Sequence, residues 1–226
     1  SVVDQRLEGL LPDGTAIQLG IYASPMEVMV SLTGPDKESG PVTIDRLFEE
    51  AKTRLGDIMY GEGNDTMESV VGRLLTDQHK TLALAESCTG GLIGHRLTQV
   101  PGSSSYVDRG IVTYSNRAKV ELLGVSPELL DRHGAVSAEV AAAMARGIRE
   151  RSGVSVGLSV TGIAGPGGAT KTKPVGLVYV GLDGGPDDNL TKKYRFHGGD
   201  RSVIKQLSSQ AALDFLRRWL ITKGGG

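Results

Sequence analysis

The sequence predicts an α/β protein: a layered, mixed β-sheet flanked by helices, preceded by a small β-β-α domain. Three observations carry this reading. From residue 65 onward, segments with helical spacing alternate with short, β-branched apolar runs, the pattern of helices and strands stacked in layers. The last two strand-like runs face each other across a glycine- and aspartate-rich turn, which makes the sheet mixed instead of purely parallel. The composition also changes near Asn64, where a segment without histidine or cysteine ends.

In the small domain, residues 1–63, Ile17–Tyr22 and Val28–Leu32 read as strands joined by the turn Ser24-Pro25-Met26-Glu27. After Gly34-Pro35 and a polar loop, Leu47, Phe48, Ala51 and Leu55 form one helical stripe. So small a unit has little core of its own. The large domain, residues 64–222, opens with a capping-box signal, Asp65 as cap and Glu68 as its return partner, before the stripe Met67, Val70, Val71, Leu74 and Leu75. The strand Thr81–Leu84 leads into Ala85-Glu86-Ser87-Cys88-Thr89-Gly90-Gly91, and a helix starts at Leu92. After the loop 101–105, Gly110–Tyr114 reads as a strand. Asn116 is the expected cap of a helix from Arg117 to Leu123, stopped by Gly124. Ser126-Pro127 opens the next helix, closed by Gly134, and Ser137 caps a third. Val154–Val160 reads as a strand running into the loop Thr161–Gly168. Val175–Gly181 and Leu190–Phe196 form the closing hairpin, and Asp200 caps the last helix with Arg201 in its first turn. Residues 223–226 read as a glycine-rich tail.

The bulk composition narrows the function. Basic and acidic residues nearly cancel, 25 against 26, so no strong field for nucleic acid or anionic membrane is expected. One cysteine rules out an internal disulfide and points to a reducing, cytoplasmic setting. No apolar run approaches the ~20 residues of a membrane span. The four histidines show no metal-ligand spacing, so neither a metal nor a cofactor is expected. Glycine, at 32 residues, is about twice its usual ~7% share, which implies tight turns or close backbone approaches to a ligand. The first residue is Ser1 and not Met, so the expectation is a piece of a longer chain.

The chemistry centres on residues 85–91. A strand that turns through two glycines into a helix presents free N–H groups where an oxyanion or phosphate can sit. Ser87 and Cys88 both lie in that turn, and either is a candidate nucleophile; the same residue types also serve as plain helix caps. Lys119, in the first turn of its helix, meets a dipole that disfavours a cation, which suits a neutral amine acting as general base. An ordinary exposed lysine satisfies the same pattern. Thr161–Gly168 can offer N–H groups to an anion or be a long turn. Arg201 can pair with a phosphate or be a surface arginine. Two dyads remain open on the residues alone: Ser87 with Lys119, and Cys88 with a histidine.

The segments 85–91, Gly110-Ile111-Val112-Thr113-Tyr114-Ser115-Asn116 with Lys119, Gly134-Ala135-Val136-Ser137, Gly162–Pro166 with Lys173–Gly176, and Gly199-Asp200-Arg201 resemble, in this order, the carboxyl-terminal domain of the CinA family. Residues 1–63 resemble the small KH-like domain that precedes it in long CinA proteins. The further molybdopterin-binding-like domain of those proteins is not represented, so its pyrophosphatase activity is not expected here. The resemblance implies a nicotinamide-nucleotide amidase that converts nicotinamide mononucleotide to nicotinic acid mononucleotide and ammonia. It implies Ser87 as nucleophile, Lys119 as base and Tyr114 as an assisting group. Thr161 and Arg201 fall on substrate-holding positions of the family.

Glu86, Thr89, Gly90, Gly91, Asn116, Gly162 and Gly165 complete the expected substrate site. N–H groups near Thr89–Gly91 are the expected oxyanion donors, Glu86 a candidate neighbour of the pyridinium charge. The expected partner is the nucleotide itself, with a homodimer as the assembly. A non-catalytic nucleotide-binding or competence/damage-related module is the alternative of another class, and cleavage of NAD-type adducts the alternative chemistry. RNA binding by the small domain is disfavoured, because it has no Gly-x-x-Gly clamp and an acidic helix face.

Overall fold

The computed structural model describes residues 2–35 and 43–224. The chain divides into two compact units, Ser1–Glu62 and Gly63–Gly226. The first runs α1 (Val2–Leu7), β1 (Gln18–Ala23), β2 (Val28–Thr33) and α2 (Ile44–Leu55), so its order is α-β-β-α, not β-β-α. The extra helix has only six residues, too few for a periodic pattern to declare itself. Its Leu7, with Leu10 and Ile17, joins Leu47, Ala51 and Leu55 of α2 in one apolar cluster. β1 and β2 pair antiparallel around the expected turn, where the Ser24 N–H donates to the Glu27 carbonyl at 2.8 Å. Most of the polar loop after Pro35 lies outside the described residues.

The second unit is a three-layer sandwich. Its elements are α3 (Met67–Asp77), β3 (Leu82–Glu86), α4 (Leu92–Thr98), β4 (Val107–Val112), α5 (Asn116–Leu123), α6 (Pro127–His133), α7 (Ala138–Ser152), β5 (Val156–Gly162), β6 (Leu177–Asp183), β7 (Asn189–Arg195) and α8 (Arg201–Gly224). The sheet order is β4-β3-β5-β6-β7, with β4, β3 and β5 parallel and β6 and β7 antiparallel to their neighbours. This is the mixed sheet the closing hairpin predicts. One face carries α7 with α5 and α6, and the other carries α8 with α3 and α4. Arg96 of α4 locks that second layer, bonding Glu68 of α3 and, on α8, Ser209 at 2.8 Å and Gln210 at 2.6 Å.

Several boundaries differ from the sequence reading. Thr66, not Asp65, caps α3, and the box closes through Ser69 because Glu68 is drawn to Arg96. Asp65 instead pairs with Arg73. Ser115, not Asn116, caps α5, its hydroxyl accepting from the Ala118 N–H at 3.1 Å. β4 ends at Val112, so Thr113 and Tyr114 lie beyond the strand. Lys223 and Gly224 extend α8 and are not a loose tail; residues 225–226 lie outside the described ones.

Glycine is abundant in part because α7 lies unusually close to its neighbours. A Cβ at Gly157 would sit 2.1 Å from the Ala145 carbonyl oxygen, one at Gly181 2.3 Å from that of Ala141, and one at Gly147 2.0 Å from that of Leu123. Backbone stands on the far side of each contact and cannot swing away. Gly157→Ala is therefore expected to destabilise the unit by about 1–3 kcal/mol, the usual cost of overpacking. Thermal unfolding should show this as a fall of roughly 2–4 °C per kcal/mol. An unchanged melting temperature would mean that α7 can withdraw from the sheet freely.

Candidate active site

β3 is buried along its whole length, and its two-residue alternation decides what each side chain meets. Ala83 and Ala85 pack in the apolar cluster with Leu123, Val140, Met144 and Ile148, on the α5–α7 face. The next residue of that parity is Ser87. Glu86, of the other parity, faces α4, where its carboxylate accepts from the N–H groups of Gly91 at 3.0 Å, Ile93 at 3.2 Å and Gly94 at 2.9 Å. Glu86 is thus the anionic cap of a short helix whose formal cap, Gly91, offers no side chain. Only 2% exposed, it is consumed by that role and is not free to face a pyridinium ring.

Lys119 comes to Ser87 from α5. Its Nζ lies 3.2 Å from Ser87 Oγ and donates to the Thr113 carbonyl at 2.7 Å. The residue is 1% exposed, among the largest fully buried side chains of the molecule. Burial pulls its pKa below the ordinary lysine value, opposed only by the Cys88 sulfur. Desolvation works against the charged form of an amine so placed, which suits a base beside Ser87. Cys88 is in the opposite condition. Burial pushes its thiol up to about 12, and its sulfur lies 3.1 Å from where a Cβ on Gly162 would stand. His95 bonds Gln99 and His133 pairs with Glu139, so neither is a base for Cys88.

Of the two dyads, the structure brings together Ser87 and Lys119.

The sheet sets two threonines beside the serine. Glu86 is registered against Val112 of β4 and Val160 of β5. One residue further, Ser87 stands between Thr113 and Thr161, with the Thr113 N–H donating to Glu86 O at 2.8 Å and the Ser87 N–H to Val160 O at 3.0 Å. Thr161 is buried and donates its hydroxyl to Ala135 O at 2.8 Å. Thr113 is buried too, and its hydroxyl has no partner. The Thr89 hydroxyl is likewise buried and unpartnered. The Gly90 N–H donates to Ser87 O, and the Gly91 N–H to Glu86, so neither glycine supplies the oxyanion donors expected of it. The N–H groups of Cys88 and Thr89 both point at the Cys88 sulfur, and their hydrogen bonds pull against the burial that raises its pKa.

The mouth of the site is built by Arg201. Its Nη1 donates to Gly165 O at 2.7 Å and its Nη2 to the Tyr114 hydroxyl at 2.6 Å. Tyr114, 60% exposed, therefore sits on Arg201 and not on the Ser87–Lys119 pair. Asn116 is exposed at the start of α5. Gly162 and Gly165 have steric reasons to be glycine: a Cβ would meet Val178 at 2.7 Å in one case and Val175 at 2.8 Å in the other. Two residues were passed over in the sequence. Thr113 was marked only by sharing the parity of Ser87 one strand away. Lys205, one turn after Arg201, brings its Nζ within 3.5 Å of where a Cβ on Gly90 would be. Among the described residues, no group of three or more His, Cys, Asp or Glu could hold a metal ion. No helix among them is long and apolar enough to cross a membrane.

A family model described as the CinA C-terminal domain matches residues 64–220. The chain belongs to the CinA family. A relative from Moorella thermoacetica, whose name refers to competence-damage induction, is 50% identical over 222 residues, covering 97% of this chain and 53% of its own. A CinA-like protein of Trichormus variabilis is 47% identical over 205 residues, covering 89% and 49%. The chain thus spans about half the length of the curated relatives it matches. The competence/damage inducible protein CihA from Agrobacterium tumefaciens superposes with a TM-score of 0.65 at 40% identity, covering 71% of this chain and 99% of that one.

Lys119 also leaves a thermodynamic trace. Its folded pKa lies below its unfolded value, near 10.5, so between the two the unfolded chain holds more protons than the native one. Stability then falls as pH is lowered through that window, and the whole cost is present below it. Lys119→Met is expected to raise the melting temperature by at least about 2 °C, with a larger gain near pH 6 than near pH 10. A gain independent of pH would contradict the desolvated amine.

Proposed function

We propose that this CinA domain is an amidohydrolase that cleaves the carboxamide of nicotinamide mononucleotide through a Ser87–Lys119 dyad. The observation that carries the reading is the buried Lys119 amine 3.2 Å from Ser87 Oγ, with no carboxylate to hold it charged. A binding module has no use for such an arrangement, which costs stability and supplies only a base. The family resemblance supports the substrate. We read the small unit as the family's KH-like domain and give it no part in the chemistry.

In this mechanism Ser87 Oγ attacks the carboxamide carbon while its proton passes to the Lys119 lone pair. We assign the oxyanion that forms to the N–H groups of Cys88 and Thr89, which would exchange the weak thiol acceptor they now share for the oxyanion, an effect worth roughly 2.7–4 kcal/mol per donor. Collapse breaks the C–N bond, and the departing nitrogen takes the proton from Lys119 and leaves as ammonia. The remaining ester is attacked by water, whose proton goes to Lys119 and then back to Ser87 as nicotinic acid mononucleotide is released. Lys119 serves both steps, since Tyr114 is engaged with Arg201. Arg201, with Lys205 beside it, faces the phosphate of the substrate.

Ser87→Ala should abolish ammonia release from nicotinamide mononucleotide, measured by a coupled assay, while Cys88→Ala keeps most of it. The reverse result would transfer the nucleophile to the thiol. Release of a product from an NAD-type adduct but not from the mononucleotide would move the reading to the adduct.

For Arg201→Ala the expected effect is on KM for the mononucleotide, a rise of about one to two decades for a lost charge-assisted contact of roughly 1.5–3 kcal/mol. Nicotinamide riboside, without the phosphate, should be a poor substrate and nearly indifferent to the change. Equal losses on both substrates would make Arg201 a brace for Gly165 and Tyr114 and nothing more.

A further inference from the structure

We propose that the Thr113 hydroxyl is the acceptor that steadies Lys119 in the moment it is protonated. The inference rests on the dyad above and adds a residue to it. A neutral amine has two N–H groups and a lone pair, whereas the ammonium formed when Ser87 gives up its proton has three N–H groups and no lone pair. One of the three is already placed on the Thr113 carbonyl at 2.7 Å. A second lies toward Ser87 and the leaving nitrogen. The third needs an acceptor, inside a site where Lys119 is 1% exposed and water cannot readily supply one.

Thr113 supplies it. Its hydroxyl is fully buried and bonds nothing in the resting structure. It belongs to the same residue as the carbonyl that already holds the amine, and it shares the sheet face of Ser87, one strand over. Val112 and Tyr114 on either side are exposed, so the threonine is the member of this run turned inward. An unused hydroxyl is a standing cost while the amine is neutral and a charge-assisted bond once it is protonated. An interaction made only on the way to the transition state accelerates the chemical step instead of merely tightening binding.

The surroundings leave this role to an uncharged oxygen. Glu86 faces the opposite side of the sheet and is spent on α4. On α5, Arg117 and Glu121 pair at the solvent side, and α7 and α6 turn Val140, Met144 and Leu130 inward. The Cys88 thiol is the one titratable group acting on Lys119. A carboxylate in place of Thr113 would hold the lysine permanently charged; a hydroxyl supports the charge without fixing it.

The test uses Thr113→Val, which keeps the shape, and Thr113→Ser, which keeps the hydroxyl. Two readouts are followed against pH: ammonia release from nicotinamide mononucleotide, and modification of Ser87 by a fluorophosphonate, which needs the dyad but not the nucleotide. The valine variant should fold with an unchanged or raised melting temperature and lose about ten- to a hundredfold in both rates. Its acid limb should move to lower pH by about one unit, because the protonated amine has lost an acceptor. Serine should restore most of the rate and the position of the limb. An acid limb that stays in place, a loss matched by unfolding, or a serine variant no better than valine would overturn the role. Ser87 modified as expected in a parent that releases no ammonia would defeat the substrate reading alone. A parent whose Ser87 the fluorophosphonate leaves untouched would defeat the dyad and this inference together.

Discussion

The second unit is arranged around one unfavourable fact, an amine taken out of water with no counter-ion. Lys119 is held by a carbonyl at 2.7 Å and a serine hydroxyl at 3.2 Å, and both are too weak to compensate a buried charge. Burial therefore pulls its pKa below the ordinary lysine value. Everything near it conforms to that constraint. Lys119 is 1% exposed, and α7 is pressed onto the sheet closely enough that glycine is required at 157 and 181. A looser sandwich would admit water and relieve the desolvation that lowers the lysine's pKa.

Period-two alternation in β3 then separates two groups that would ruin each other. Glu86 and Ser87 are consecutive, yet the sheet lies between their side chains. The carboxylate caps α4 through three N–H groups, while the serine looks toward α5. Had the carboxylate faced Lys119, its attraction would have stabilised the ammonium and removed the base. The same sheet thus turns one acidic residue into a support for the helix after Ser87 and keeps its carboxylate on the face away from the amine.

Much of this was legible in the sequence, and the misses have physical causes. The alternation of elements, the mixed sheet and the positions of Ser87 and Lys119 follow from local patterns, because strand ends and helix starts carry turn and cap residues. The caps of α3 and α5 slipped by one residue since Asp65-Thr66 and Ser115-Asn116 each offer two good cap residues in a row. Which one wins is decided far away, by Arg96 drawing Glu68 in the first case. The sequence places the oxyanion donors near Thr89–Gly91, because glycines free the backbone to approach a ligand; the two glycines do not fit that expectation. Their N–H groups turn out to be bonded within the turn itself, to Ser87 and Glu86. Thr113 opens a strand-end segment that the sequence marks, Thr113–Lys119, but its own place beside Ser87 lies in the register of β3 against β4, which no single segment encodes.

The division between floor and mouth gives the site its logic. Ser87, Thr113, Thr161 and Lys119 stand on strand ends and a helix, are almost wholly buried, and owe their positions to sheet register. Arg201 opens α8, Tyr114 and Gly165 come from two separate connections, and the three are joined at the rim by two hydrogen bonds of one guanidinium. Tyr114 and Arg201 remain exposed there. Proton transfer tolerates little displacement, whereas recognition of a substrate's far end must allow entry and release. A buried floor and a laced but solvent-facing rim are the arrangement that the proposed chemistry would require. The rim also explains why Arg201 is an arginine: a planar fork can hold a carbonyl and a phenol at once and still turn an N–H outward, which the single ammonium of a lysine does with far less directional control.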